Sequence, residues 1–326
     1  MKKGKWILGI AFVAVLVGLI YLINTMRQTP EETYRVGIFQ VVRHPVLDSM
    51  AKSFQDSLDA KYPGKVQFDV KVPEGDAGKT EQMAQSFASG DYDLVFVIGT
   101  NLAQSLAKKT QTIPIVLGGA TDPQAAGLVD SWEKPGRNIT GTSDLSPVAL
   151  QLDRLRELLP QAKRIGIIYN PSEDNSKIIL AHFTRECEQR GLMPVSVTIS
   201  TPNDIQQTLV SLVGKIDALY APTDATVQSA FPALIKVANE VKIPVFNCDE
   251  GTAQKGAIFS VGFNYEDLGR TSADMAVAIL DGKSKPQDMP IRLVGTSTLY
   301  YNAKQIQALG LSVPESWTQE GVKVGE

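Results

Sequence analysis

Residues Arg164-Ile165-Gly166-Ile167-Ile168-Tyr169 repeat, halfway along the chain, the plan of an earlier run, Arg35-Val36-Gly37-Ile38-Phe39. Each is a basic residue followed by a short apolar run with one glycine, the pattern of a strand buried on both faces. Two further pairs follow in the same order. Asp93-Leu94-Val95-Phe96, then Thr100-Asn101 and a helix, is matched by Asp217-Ala218-Leu219-Tyr220, then Thr223-Asp224 and a helix. Ile113-Pro114-Ile115-Val116 is matched by Ile243-Pro244-Val245-Phe246. Buried strands look alike, so one pair means little, but an ordered set predicts two lobes of one design. Stretches of helical spacing, such as Leu47 to Leu58 and residues 77–89, separate the strands. The alternation predicts an α/β fold of two Rossmann-like lobes, each a parallel sheet covered by helices.

The amino terminus follows a different pattern. Lys2, Lys3 and Lys5 precede an unbroken apolar run from Trp6 to Ile23. As a helix this run spans roughly 27 Å, close to the hydrocarbon thickness of a bilayer. A cleaved signal peptide would have a shorter apolar core and a small-x-small site after it. Here Asn24-Thr25-Met26-Arg27-Gln28 follows, with no cysteine to be lipidated. The expectation is one N-terminal transmembrane helix, an uncleaved signal-anchor, with the lysines inside and the rest on the extracytoplasmic face of the plasma membrane. A secreted or periplasmic chain after signal cleavage is the alternative. Residues 1–33 comprise the anchor and a polar linker containing Pro30, Glu31 and Glu32.

Composition narrows the function. The 326 residues are 43% hydrophobic and 21% charged, a folded chain with room for two lobes. A formal net charge of -3 gives no basic excess for nucleic acid. Cys187 and Cys248 stand far apart, and His44 and His182 are the only histidines, so neither a disulfide framework nor a metal site is expected. No GxGxxG follows a strand, and no GxxxxGK[ST], HExxH or GxSxG occurs. No catalytic residue and no cofactor is expected. Polar clusters do follow the strands: Gln40 to His44, Thr100-Asn101, Ala120-Thr121-Asp122, Ser172 to Ser176 and Thr223-Asp224. In open parallel sheets, ligands bind outside the carboxyl ends of the strands, where helix N-termini offer N–H groups.

The run Phe39-Gln40-Val41-Val42-Arg43-His44-Pro45-Val46-Leu47-Asp48 resembles the opening of the substrate-binding proteins of ABC transporters. So do Glu74-Gly75-Asp76, Ile139 to Asp144, Tyr169 to Ser176 and Ala221-Pro222-Thr223-Asp224. The similarity runs from about Tyr34 to about Pro314 and is nearest to members that bind tryptophan or another aromatic amino acid. It implies a type I periplasmic-binding-protein architecture with three inter-lobe crossings, near Ser143-Asp144, Gly262 to Asn264 and Leu293 to Gly295. Lobe 1 would then comprise 34–143 plus 264–292, and lobe 2 144–263 plus 293–326. The resemblance also implies an importer component: an aromatic amino acid, tryptophan first, is captured between lobes and passed to an ABC permease driven by an ATPase subunit. A binding protein for an aliphatic amino acid or a sugar, and a membrane-anchored sensor or enzyme domain, are the alternatives.

An amino acid carries an ammonium and a carboxylate, and enclosing either requires a partner. Asp224 is the first candidate for the ammonium and Asp144 the second, with helix N-cap and hinge turn as their structural alternatives. Thr100, Ser143 and Thr223 are candidates for the carboxylate or for caps. Asn175 and Ser176 open a second-lobe helix, where capping and anion contact are compatible. Thr121 is preferred to Asp122, which precedes Pro123 in a rigid turn. Gln40 and His44 belong to the first loop, His44 either fixed there or set over an aromatic ligand. Phe39, Tyr169 and Phe231 are walls or core, and Trp317 is placed in the tail.

Overall fold

The structure, a computed structural model, describes residues 33–294 and 298–325. The expected transmembrane helix lies outside these residues. Among the described residues no helix is long and apolar enough to cross a membrane.

The strands are β1 (Tyr34–Gln40), β2 (Val66–Lys71), β3 (Leu94–Ile98), β4 (Ile115–Leu117), β5 (Ile139–Ser143), β6 (Arg164–Tyr169), β7 (Met193–Thr198), β8 (Ala218–Ala221), β9 (Val245–Asn247), β10 (Phe259–Gly262), β11 (Arg292–Leu293), β12 (Thr298–Asn302) and β13 (Val322–Val324). They form two sheets, ordered β11-β5-β4-β3-β1-β2 and β13-β12-β10-β9-β8-β6-β7. Every pairing in the first is parallel. The second departs from the parallel expectation at one place, where β12 runs antiparallel to β10. Between β10 and β12 the chain passes through the helix Tyr265–Leu280 and β11, which pack in the first lobe and not on the second sheet, so no crossover on its own sheet sets the direction of β12.

Burial explains why these segments are strands. Every residue of β3, β4, β5 and β8 is buried, as the apolar runs of β3, β4 and β8 require, while the hydroxyls of Thr140, Thr142 and Ser143 in β5 are each hydrogen-bonded. The edge strands β2 and β7 are only partly covered. In the first lobe, the helix Pro45–Lys61 packs on the helix Tyr265–Leu280, and Phe54 stacks on Phe96 with ring centroids 3.9 Å apart. The two helices touch at Gly269, where any Cβ would run into the Met50 carbonyl and the Ser53 hydroxyl. The second lobe is filled by a run of rings, Phe183, Tyr220, Phe246, Phe259 and Trp317, each about 5 Å from the next. Trp317 is therefore a core residue and not part of a loose tail. It is fully buried, and its indole N–H donates to Glu157 at 2.6 Å.

After β5 the chain enters the helix Val148–Leu158, which packs with Ile165 and Phe183 in the second lobe. After β10 it enters Tyr265–Leu280, which packs in the first. This interleaving places the carboxyl ends of β1, β3 and β4 opposite those of β6, β8 and β9.

Candidate ligand-binding cleft

Between the lobes lies a cavity of about 410 Å³, within the roughly 300–1,000 Å³ of small-molecule sites. Its two walls differ. The first lobe presents aliphatic groups, among them Val41, Val46, Leu47, Met50 and Leu102. The second presents polar ones, among them Asn170, Ser172, Asn175, Thr223 and Gln228.

At the floor, next to the first crossing, sits Asp144, 7% exposed. Its Oδ1 accepts the Thr121 hydroxyl at 3.2 Å. Burial pushes its carboxyl from 3.8 up to about 7, partly offset by the hydroxyls of Thr121 and Tyr265 and by a backbone N–H. No lysine, arginine or histidine pairs with it among the described residues. Gly119 shapes this corner. Its φ of +69 suits glycine, its N–H donates to the Thr142 hydroxyl at 3.1 Å, and an added Cβ would press on Asp144. The Thr100 hydroxyl accepts the Thr121 N–H at 3.5 Å, so Thr100, Thr121 and Asp144 form one contiguous polar edge. Thr100 starts the helix Thr100–Ala107, whose N-cap Gly99 provides no side chain to cover the first N–H groups.

Asp224 has a different setting. Its Oδ1 accepts the Val227 N–H at 2.8 Å, and its Oδ2 accepts the Asn170 N–H at 2.6 Å and the Ser176 hydroxyl at 2.7 Å. It is the N-cap of the helix Ala225–Ser229. Glu173 takes the other N–H groups of that helix, from Ala225 at 2.9 Å and Thr226 at 3.0 Å. Burial, and then the neighbouring Glu173, raise the Asp224 pKa. Two carboxylates thus occupy this helix N-terminus, and Asp224 is held by one capping bond and by two bonds that tie it to Asn170 and Ser176.

Of the ten candidates, His44, Thr100, Thr121, Asp144, Asn175, Thr223 and Asp224 line the cavity. Gln40, Ser143 and Ser176 lie behind its wall. Gln40 donates to the Val42 carbonyl at 2.8 Å and to Asp48 at 2.6 Å, which fixes the loop carrying Arg43 and His44. Ser143 donates to the Thr121 carbonyl at 2.8 Å and accepts the Leu145 N–H. Asn175 donates to the Thr223 carbonyl at 2.9 Å. Asp122 accepts the N–H groups of Gln124 and Ala125, a turn as expected. His44 is held below its usual pKa by burial and by Lys255, with Asp48 opposing. Phe39 and Phe231 are core residues.

Tyr265 and the aliphatic wall were not anticipated as parts of the site, while Asn101 and Glu173, which also line it, fell within the expected polar clusters without being singled out. Tyr265 had a signal, since it follows the second crossing directly and so has to stand at the hinge. The lobes also touch one another: the Asp174 N–H donates to Asn101 Oδ1 at 3.2 Å, and Gln104 donates to the Asp174 carboxylate at 3.1 Å.

Residues 35–324 match the family model described as ABC transporter substrate binding protein. The tyrosine-binding protein of Clostridioides difficile (strain R20291) is 39% identical over 279 residues, 85% of this chain and 81% of that protein. The structure of an ABC domain from Streptococcus pneumonia in complex with L-Trp superposes with a TM-score of 0.86 at 34% identity, covering 90% of this chain and 99% of that one. The ligand-free, open structure of a substrate-binding protein with adhesive properties from Clostridium difficile gives a TM-score of 0.69 at 38% identity, covering 90% and 99%. At similar identity the lobes therefore agree better with the ligand-bound arrangement than with the open one.

Proposed function

Because the chain belongs to the ABC transporter substrate-binding protein family, whose members here are binders and not enzymes, we propose that it captures an aromatic amino acid for import. The observation that carries this is Asp144, a buried carboxylate with no cationic partner among the described residues, beside the uncapped start of the helix Thr100–Ala107. The ligand ammonium goes to Asp144, which displaces Asp224 from first place. The ligand carboxylate goes to Thr100 and the N–H groups after Gly99. The ring lies on the aliphatic wall of the first lobe. Relatives that bind tyrosine and tryptophan favour this class over an aliphatic amino acid or a sugar.

The lobe boundaries proposed are those read from the sequence, 34–143 with 264–292 and 144–263 with 293–326, and strand membership in the two sheets supports them apart from Leu293, which pairs with Ser143. The apolar run Trp6 to Ile23 behind three lysines supports an anchor on the extracytoplasmic face, with delivery to a permease and its ATPase. Sequencing the protein extracted from membranes checks the anchor, which predicts a start at or near Met1. For the ligand, the protein is purified without added solute, denatured, and its released small molecules are weighed by mass spectrometry. Tyrosine or tryptophan is expected, and a sugar or an aliphatic amino acid would overturn the proposal.

A further inference from the structure

The charges facing the cleft are unequal. Among the described residues, five carboxylates line it, those of Glu81, Asp144, Glu173, Asp224 and Asp249. Arg43 is the only lysine or arginine that does, and its side chain is 58% exposed and paired with Asp48 at 3.5 Å. Four of the carboxylates have structural engagements. Glu81 is bound by Lys109 and Ser105. Glu173 and Asp224 cap Ala225–Ser229. Asp249 caps Glu250–Gln254 through the Gly251 N–H. Asp144 accepts only neutral donors.

We infer that the cleft reads the ammonium of its ligand far more strongly than the carboxylate, so that it also takes the corresponding aromatic monoamines, which lack a carboxylate altogether. This rests on the proposed function and extends its ligand class.

An amino acid placed here meets a full, buried, opposite charge at one end of its head group and only neutral donors, the Thr100 hydroxyl and backbone N–H groups, at the other. A charge-assisted hydrogen bond contributes roughly ten- to a hundredfold in affinity. A helix N-terminus adds a dipole effect of roughly two- to fivefold to the bonds that its N–H groups make with a carboxylate, with no fixed opposite charge behind them. A carboxylate brought into a cleft already lined by acids also suffers repulsion, and losing it removes both that and its desolvation. Deleting the carboxylate is therefore cheap here, while deleting the ammonium leaves Asp144 buried beside an apolar group.

The test is a calorimetric series at pH 8 on the full chain in mild detergent. The probes are L-tryptophan and L-tyrosine, the amines tryptamine and tyramine, and the desamino acids indole-3-propionate and 3-(4-hydroxyphenyl)propionate. The amines are expected within about tenfold of their amino acids, and the desamino acids at least a hundredfold weaker. Asp144→Asn should narrow the gap between amine and desamino acid by tenfold or more. Amino acids that bind while the amines do not would overturn this inference and leave the proposed function standing. Amines that bind while the amino acids do not would overturn the proposed function alone. Failure of both classes would sink both.

Discussion

The hydroxyl of Thr121 lies 3.2 Å from the carboxylate of Asp144, joining the turn after β4 to the first inter-lobe crossing. Asp144 and Tyr265 each follow a strand that leaves its lobe, so the floor of the cleft is also its hinge. A ligand bound there acts on both crossings at once.

Asp144→Asn keeps the shape and removes the charge. Loss of the charge-assisted bond should weaken aromatic amino-acid binding by about 1.5–3 kcal/mol at pH 8, measured by calorimetry. The ligand-free variant should be more stable than the unmodified protein at that pH, because a buried charge without a cation is gone. Unchanged affinity with lower stability would mean that Asp144 is a structural hinge residue.

The stability of the ligand-free protein should depend on pH through the same group. The folded pKa of about 7 lies above the ordinary 3.8, so the folded state holds a proton that the unfolded state has released. Stability from this group is therefore greatest below about pH 4 and falls as pH rises, until the loss is complete above about 7. Three pKa units correspond to about 4 kcal/mol as an order of magnitude. Denaturant titrations from pH 5 to 8 should show this slope, and Asp144→Asn should reduce it, the remainder coming from Asp224, whose pKa burial and Glu173 also raise.

Ligand binding should have the opposite pH dependence. A bound ammonium needs Asp144 ionised, so below about pH 7 binding expels a proton. Affinity should fall by close to tenfold per unit as pH drops from 7 to 5. Calorimetry at pH 6 in buffers of different ionisation enthalpy should report close to one proton released. His44, held below its usual pKa, stays neutral from pH 7 upward.

Asp224→Ala separates cap from ligand contact. It orphans the N–H groups of Val227 and Asn170 and strips the cap from Ala225–Ser229. The ligand-free protein should lose about 2 kcal/mol or more, a drop of several degrees in melting temperature. Affinity measured well below that temperature should change by less than tenfold. A large loss of affinity with little loss of stability would restore Asp224 as a ligand contact.

The strands were legible because burial on both faces writes itself as apolar runs, and Leu94 to Ile98 could be read in no other way. The position of the polar clusters followed from the same reading, since the carboxyl ends of parallel strands converge. The role of each acid was not legible. Asp144 and Asp224 each follow a strand and look alike in sequence, yet only the fold brings the Asn170 N–H and Ser176 hydroxyl to Asp224 and leaves Asp144 with neutral donors. Trp317 was misplaced because a lone aromatic in the helix Glu315–Glu320 has no local signal of the core that it closes. The antiparallel β12 was hidden likewise, since strand direction depends on the path of the crossing and not on the residues of the strand.

The contact between the lobes gives the last prediction. Asp174 opens the helix Asp174–Gln189, its N–H donating to Asn101 and its carboxylate accepting Gln104. Both partners lie on the helix Thr100–Ala107, the one whose start faces the proposed ligand carboxylate. These bonds exist only when the lobes are together, so they add to closure without touching the ligand. A double variant, Asn101→Ala with Gln104→Ala, should shift the ligand-free population toward open forms and raise the radius of gyration in solution scattering. Because the ligand favours the closed state by its differential affinity, that shift lowers apparent affinity by the fraction of closed protein lost. Two neutral or singly charged hydrogen bonds at a partly wet surface are worth about 1–2 kcal/mol together. The apparent Kd should rise by roughly five- to thirtyfold, mostly through faster dissociation. Enthalpy at the floor of the cleft, and the proton released at pH 6, should stay as they are, since Asp144 is untouched. A rise in Kd with no change in scattering and no change in dissociation rate would place Asn101 in contact with the ligand and remove the contact with Asp174 from the closing mechanism.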